Sequence, residues 1–344
     1  MKIFRSAAQH GMAHGSRSLV PFMTDNRRDP RRSVTLGTSD LTVFPLSFGG
    51  NVFGWTADEA QSFAVLDAYA AAGGDFVDTA DVYSAWVPGN KGGESETILG
   101  NWLRSRGNRD SIVVATKVGA HPDAKGLKAD NIRATVDGSL GRLGIERIDL
   151  LYTHFDDLET PVSEIIGTLD ALVKEGKVRE IAASNISAER LTASLEFSDA
   201  EGLAKYVAIQ PRYNLVSRDS YEGELAAVAA EHRLSALPYS ALASGFLTGK
   251  YRPGGPAVQS ARAQGAGRYL EEPRGPRVLD ALDTVAAAHG VELAAVALAW
   301  LAAQPTVAAP IASARTVEQL PALLAGAALE LTAQDLALLD DASA

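Results

Sequence analysis

Four side chains with complementary chemistry lie along the first half of the sequence: Asp78, Tyr83, Lys117 and His154. Together they suit the reduction of a carbonyl by hydride, which needs a proton for the developing alkoxide. A tyrosine hydroxyl can supply that proton, but its ordinary pKa of about 10 is too high for the best transfer near neutral pH. A nearby ammonium stabilises tyrosinate and lowers that pKa. A carboxylate holds the lysine in place and offsets part of its desolvation cost. An imidazole can hydrogen-bond the carbonyl oxygen and orient it. Tyr83 is then the acid, Lys117 and Asp78 tune it, and His154 orients the carbonyl. Taken singly, each has an ordinary reading: an Asp caps a helix, a Tyr packs, a Lys is solvated, a His is structural. The case depends on their convergence.

The elements that would bring them together alternate along the chain. The apolar runs predict strands at Leu46–Gly50, Phe76–Asp78, Ile112–Thr116, Ile148–Thr153, Val178–Ala183, Tyr206–Gln210, Leu234–Pro238 and Thr306–Ile311. Helical spacing predicts helices at Ala57–Ala72, Glu94–Arg106, Asn131–Leu143, Val162–Glu175, Ala188–Ala200 and Tyr221–His232. Pro276–Ala303 reads as two helices broken near Gly290; Thr316–Gly326 and Ala333–Asp340 follow, the last with Thr332 as N-cap. Val34–Gly37 and Leu41–Phe44 form a hairpin ahead of all of these. Eight strand–helix units predict a closed (β/α)8 TIM barrel of the α/β class, with an N-terminal β-hairpin and extra C-terminal helices. Gly49 to Gly54 only loosely matches a dinucleotide-binding glycine loop, so an open doubly wound sheet is rejected.

In such a barrel the active site lies at the C-terminal ends of the strands. Asp78 ends strand two, Lys117 strand three and His154 strand four, with Tyr83 in the loop after strand two. The Gly-, Pro- and Arg-rich stretch Ser244–Gly275 is too long for a bare connector and reads as a functional or mobile loop.

Composition narrows the alternatives. The 344 residues are 46% hydrophobic and carry a net charge of −10. That charge argues against nucleic-acid or anionic-membrane partners. The absence of cysteine excludes disulfides, cysteine nucleophiles and thiolate metal sites. The six histidines show no ligand spacing with carboxylates, so no metal site is expected. No run of eighteen apolar residues exists, and the chain reads as cytoplasmic. Residues 1–32 read as a disordered leader, an over-called start or a scar, leaving 33–344 as one domain.

The sequence resembles the aldo-keto reductase family. Phe76-Val-Asp-Thr-Ala-Asp-Val-Tyr83 is similar to its D-T-A-x-x-Y motif, Ala115-Thr-Lys-Val-Gly119 to its lysine strand and Asp149-Leu-Leu-Tyr-Thr-His154 to its histidine strand. Ala183-Ser-Asn185, Gln210-Pro-Arg-Tyr-Asn214, Pro238–Lys250 and Ile311–Leu320 resemble the family's cofactor segments in the family's order. The resemblance implies an NAD(P)H-dependent oxidoreductase reducing aldehydes and ketones to alcohols, with NADP(H) expected over NAD(H). It implies that Ser184, Asn185 and Gln210 bind the nicotinamide carboxamide and that Tyr239 stacks on its ring. Ser240, Leu242, Ser244 and Lys250 would line the pyrophosphate path, and Ser313, Arg315 and Gln319 would meet the adenosine end. An arginine there suits a 2′-phosphate. Ala322 and Leu323 depart from the Glu or Asp and Asn that the family usually has, and Ser84 stands where Gly is common.

Phe53, Trp55, Trp86 and Phe155 follow strand ends or catalytic positions and are expected to wall an apolar substrate pocket, favouring hydrophobic or aromatic carbonyls. Two other readings stay open. One is a Schiff-base lyase through Lys117, disfavoured because Asp78 would keep that lysine charged. The other is a reductase-like subunit that senses nicotinamide redox state for a partner protein.

Overall fold

The computed structural model describes residues 33–344; the leader expected at 1–32 lies outside them. Eight parallel strands pair in chain order: Ser47–Gly49, Phe76–Asp78, Val113–Val118, Ile148–Thr153, Val178–Ser184, Tyr206–Gln210, Ser235–Ala236, and Ile311–Ala312 returning beside the first. The seventh strand joins the chain leading into the eighth through a parallel bridge between Ala236 and Val307. Ala236 N donates to Thr306 O at 2.8 Å and Ala308 N to Ala236 O at 3.0 Å. The sheet is thereby closed as the predicted (β/α)8 barrel.

Helices cover the outside, at Glu59–Ala71, Glu94–Arg106, Ala129–Leu143, Val162–Lys174, Ala188–Glu201 and Glu224–Glu231, then Arg274–His289, Leu293–Ala302, Leu320–Ala328 and Ala333–Ser343. Local chemistry sets their ends. Asp58 caps the first through Gln61 N, with Gln61 returning the bond, and Thr332 and Asp335 do the same for the last. Gly107, Gly144, Gly202 and Gly290 close their helices in left-handed conformation.

The pleat sorts each strand into an outer face against the helices and an inner face toward the axis. Phe76, Val113, Ala115, Leu150, Tyr152, Ala182, Val207 and Ala208 form the inner cluster. The hairpin Val34–Thr35 and Thr42–Val43 plugs its floor, with Leu36, Leu41 and Val43 buried in the same cluster. Each such side chain contributes roughly 1.5–3 kcal/mol by leaving water. Gly37, at φ +54°, lets the hairpin turn press against the barrel, since a Cβ there would lie 2.1 Å from Val207 O.

Three expected boundaries are corrected. The helix predicted from Tyr221 starts at Glu224, because 220–223 is a turn ended by Gly223 at φ +98°. The last strand occupies Ile311–Ala312, the preceding residues pairing only by the bridge at Val307. The stretch Ser244–Gly275 carries short helical turns at Ala243–Thr248, Ala263–Gly267 and Arg268–Leu270. A two-stranded hairpin at Ala120–His121 and Ala124–Lys125 was not anticipated.

Candidate active site

The period of two that buries the inner cluster also delivers the polar side chains. Asp78 stands two residues beyond Phe76, Lys117 beyond Ala115, His154 beyond Tyr152, Ser184 beyond Ala182 and Gln210 beyond Ala208. Each strand is apolar toward the floor and polar at its C-terminal end, as a packed barrel with one working face requires.

The four residues expected to act together do meet. Lys117 Nζ donates to Asp78 Oδ2 at 2.6 Å, to Thr79 O at 2.8 Å and to Tyr83 Oη at 2.9 Å, so all three ammonium protons are used. Tyr83 Oη lies 3.4 Å from Asp78 Oδ2. Gln210 Nε2 donates to the other carboxylate oxygen, Oδ1, at 2.9 Å. The Tyr83 and His154 rings meet edge to face at 6.1 Å. His154 Nδ1 is buried and unpartnered.

Electrostatics set the resting protonation. Burial lowers the Lys117 pKa, and the adjacent Asp78 is the main influence opposing that shift. Burial pushes His154 down to about 3, with the Lys117 charge adding to the effect, so its imidazole is neutral at ordinary pH. Burial, and then Asp78, push Tyr83 well above its ordinary value. The sequence reading expects Lys117 to lower the Tyr83 pKa; in the resting site burial and the carboxylate outweigh it. Tyr83 is thus held protonated, and the ammonium 2.9 Å away would stabilise a tyrosinate if one formed.

Behind the tetrad sits a second buried carboxylate that the sequence reading missed. Asp81 is buried and neither carboxylate oxygen has a hydrogen-bond partner. Burial and the neighbouring Glu96 push it up to about 7. Glu96 itself accepts from Thr116 Oγ1 at 2.5 Å and from Arg142 Nε at 2.7 Å.

A cavity of about 770 Å³ opens beside Asp78 and Tyr83 and runs toward the last strand. Tyr239, Ser240, Leu242, Ser244, Lys250, Ser313, Arg315 and Gln319 all line it, as do Ala322 and Leu323. The loop at its side is shaped for close approach: Ser240, Ala243 and Ser244 all hold positive φ, at +55°, +47° and +60°. Gly49 leaves room where a Cβ would lie 2.7 Å from Ser313 Oγ. Ser313 Oγ donates to Asn51 Oδ1 at 2.7 Å, and Gln319 Oε1 accepts from Arg315 N at 2.8 Å.

Ser184, Asn185 and Gln210 are not on that cavity. Asn185 and Gln210 line a neighbouring one of about 200 Å³, and Tyr239 lines both and separates them. Tyr239 Oη donates to Asn185 Oδ1 at 2.8 Å, while Asn185 Nδ2 donates to His154 O at 2.8 Å and to Ser184 Oγ at 3.0 Å. Ser184 Oγ in turn donates to Gln210 O at 2.8 Å.

Of the four expected pocket walls, Trp55 lines the cavity. Trp86 meets it edge to face at 5.5 Å and reaches Tyr83 at 6.2 Å. Phe155 stacks on the His154 ring at 5.0 Å, and both Trp86 and Phe155 are largely exposed at the rim. Phe53 is a correction: it is wholly buried and stacks on Phe48 at 5.8 Å. The short 3-10 turn Gly50–Val52 rotates it into the packing against the helices rather than onto the mouth. Ser84, at φ +72°, occupies a glycine-like conformation and is tied down by donating to Phe53 O at 2.6 Å.

Arg262, from the long loop, also lines the cavity, and sequence reading passed over it. Its guanidinium lies 5.3 Å from the centre of the Trp55 ring. Among the described residues no group of three or more His, Cys, Asp or Glu could hold a metal, and no single helix is long and apolar enough to cross a membrane.

Comparison with known proteins agrees with the barrel fold. The family model described as Aldo/keto reductase family matches residues 45–344. The chain is 34% identical over 295 residues to a probable voltage-gated potassium channel subunit beta of Oryza sativa subsp. japonica, covering 83% of this chain and 88% of that protein. It is 33% identical over 326 residues to Protein tas of Escherichia coli, covering 87% and 94%. It is 31% identical over 319 residues to norsolorinic acid reductase stcV of Emericella nidulans, covering 88% and 78%. A strand-end tetrad on a closed barrel and a family match over nearly all the described chain lead to one conclusion: this protein belongs to the aldo/keto reductase family.

Proposed function

We propose that this oxidoreductase reduces apolar or aromatic aldehydes and ketones with NADPH, using Tyr83 as general acid. The observation that carries the reading is the Asp78–Lys117–Tyr83 cluster, with Lys117 Nζ bonded to both partners. The residues present fit a dinucleotide. Lys250 and Arg315 line the cavity without a carboxylate partner among the described residues, and the positive-φ loop and Gly49 let backbone approach closely. The nicotinamide supplies the hydride when bound.

This chain's own groups do the rest. Tyr83 gives its proton to the carbonyl oxygen as negative charge develops there, and Lys117 stabilises the tyrosinate. Asp78 holds the ammonium, and the neutral His154 imidazole orients the carbonyl. Trp55 and Trp86 exclude water from the reacting atoms. Tyr239 would pack beside a bound nicotinamide ring, with the hydrogen-bonded residues Ser184, Asn185 and Gln210 holding Tyr239 and the carboxamide end. Lys250 and Arg315 would hold the phosphates, and Arg315 would favour NADPH over NADH.

The test is fluorescence titration with NADPH and NADH, followed by a carbonyl panel with Tyr83→Phe as control. The expected result is tighter NADPH binding and a fall in kcat of about 10²- to 10⁴-fold in the variant. Near-full turnover by Tyr83→Phe sinks the proposed acid. The name of the rice relative favours a second reading, a redox-sensing subunit; cofactor binding with no turnover across the panel would select it.

A further inference from the structure

Two buried carboxylates, Asp81 and Glu96, lie outside the hydrogen-bonded tetrad yet act on its lysine. They are not equivalent. Glu96, from the second helix, uses both oxygens: Oε1 accepts from Thr116 Oγ1 at 2.5 Å and Oε2 from Arg142 Nε at 2.7 Å. Its charge is thereby matched by a guanidinium. Asp81 has no such partner: neither of its buried oxygens is hydrogen-bonded among the described residues. An uncompensated buried carboxylate is costly, so a fold that keeps one must protonate it or set it near a cation.

Lys117 is such a cation. Asp81 N donates to Lys117 O at 3.2 Å, and Thr116, the residue before Lys117, fixes Glu96. Both acids are thus anchored to strand three at the lysine. Asp78, Tyr83 and Tyr152 face the ammonium from strand two, its loop and strand four, and its charge reaches His154. Arg142 comes from the third helix. The hairpin after strand three brings His121, whose Nε2 is bonded to Lys91 O at 2.7 Å. Glu96 opposes ionisation of Asp81, while Arg142 and Lys117 favour it.

We propose that Asp81 is a positioning residue for carbonyl reduction: its ionised carboxylate keeps Lys117 an ammonium at alkaline pH and so preserves the charge that stabilises a tyrosinate at Tyr83. The proposal rests on the carbonyl-reductase reading and adds a residue to it. Asp78 holds the ammonium by contact. Asp81 acts through its field, because the three protons on Nζ go to Asp78, Thr79 O and Tyr83. An opposite charge nearby raises a lysine pKa, so removing the Asp81 charge brings the loss of the Lys117 proton to lower pH. Asp81 ionises near pH 7, which confines the effect to the alkaline limb of activity.

The test titrates Lys117 directly by NMR, with lysine Cε isotopically labelled and the Lys117 resonance identified by its loss in Lys117→Arg. The Lys117 midpoint should fall by about one pH unit in Asp81→Asn and stay near that of the wild type in Asp81→Glu. In stopped-flow NADPH oxidation with benzaldehyde, the alkaline limb should move by the same amount. The ratio of wild-type to Asp81→Asn rates should then rise about tenfold from pH 6 to beyond the limb. A Lys117 resonance that titrates identically in the wild type and Asp81→Asn overturns the proposal. So does a rate ratio that is constant with pH, the mark of a merely structural role. Should Asp81→Asn fail to fold, the wild type decides: its Lys117 resonance must report a step near pH 7 from Asp81, and a resonance without that step overturns the proposal. If no carbonyl is turned over, the reductase reading falls, and the claim on the reaction falls with it even where the resonance shifts.

Discussion

Gln210 and Asp78, 132 residues apart, are joined across the barrel by a 2.9 Å bond from Nε2 to Oδ1. With Lys117 on the other oxygen, the carboxylate is gripped from strands three and six at once. Gln210 therefore supports the Asp78–Lys117–Tyr83 cluster as well as being a candidate cofactor contact. In Gln210→Leu one oxygen of a buried carboxylate loses its donor. Stability should fall by about 1–3 kcal/mol in urea denaturation, and kcat should fall more than NADPH affinity. A large loss of NADPH binding with kcat unchanged would return Gln210 to a cofactor role alone.

The pair Lys117 and Asp78 is almost fully buried, so removing one partner should cost more than removing both. Lys117→Met leaves an uncompensated carboxylate and should destabilise by about 3–5 kcal/mol. The double variant Lys117→Met, Asp78→Asn should recover part of that loss while remaining inactive. Additive losses in a double-mutant cycle would show that the two charges are not coupled.

His154 and Asp81 give opposite pH signatures in the same range. His154 has its pKa lowered on folding, so its contribution to stability is present above about 6.5 and is lost as pH falls toward about 3. His154→Gln should therefore lose stability less steeply than the wild type on acidification, by roughly 2–3 kcal/mol between pH 7 and 4.5. The neutral imidazole also predicts no activity limb from His154 between pH 5 and 8, and pH–rate profiles of the wild type and variant would reveal one.

Asp81 has its pKa raised on folding, to about 7. The unfolded state gives up this proton from about pH 4 upward while the folded state keeps it, so stability falls as pH rises toward 7. Asp81→Asn removes that penalty. It should be more stable than the wild type by roughly 2–4 kcal/mol above pH 7, with the difference vanishing near pH 4. A constant difference across that range would mean that Asp81 is not titrating there.

The strand ends were the legible part of this site. Asp78, Lys117 and His154 stand at period-two positions above apolar residues, a pattern that sequence carries directly. What it does not carry is contact across the barrel. Nothing near Gln210 signals that its amide reaches Asp78. Arg262 was hidden because 244–275 has no apolar period to anchor a register. Phe53 was misplaced because following a strand end does not say which way a short 3-10 turn will rotate the next side chain. Asp81 lay inside the recognised motif, yet its raised pKa depends on burial and on Glu96 from the following helix.

The hairpin that plugs the barrel floor has a practical corollary. Leu36, Leu41 and Val43 seal the end opposite the tetrad, so the hairpin turn at 37–40 lies on the far side of the barrel from the tetrad. A surface, affinity handle or fused protein joined through that end would hold the barrel upside down, with its opening facing the surrounding solution. Immobilised this way, the protein should present Trp86 and Phe155 outward, leaving diffusion of bulky carbonyl compounds to the rim unobstructed.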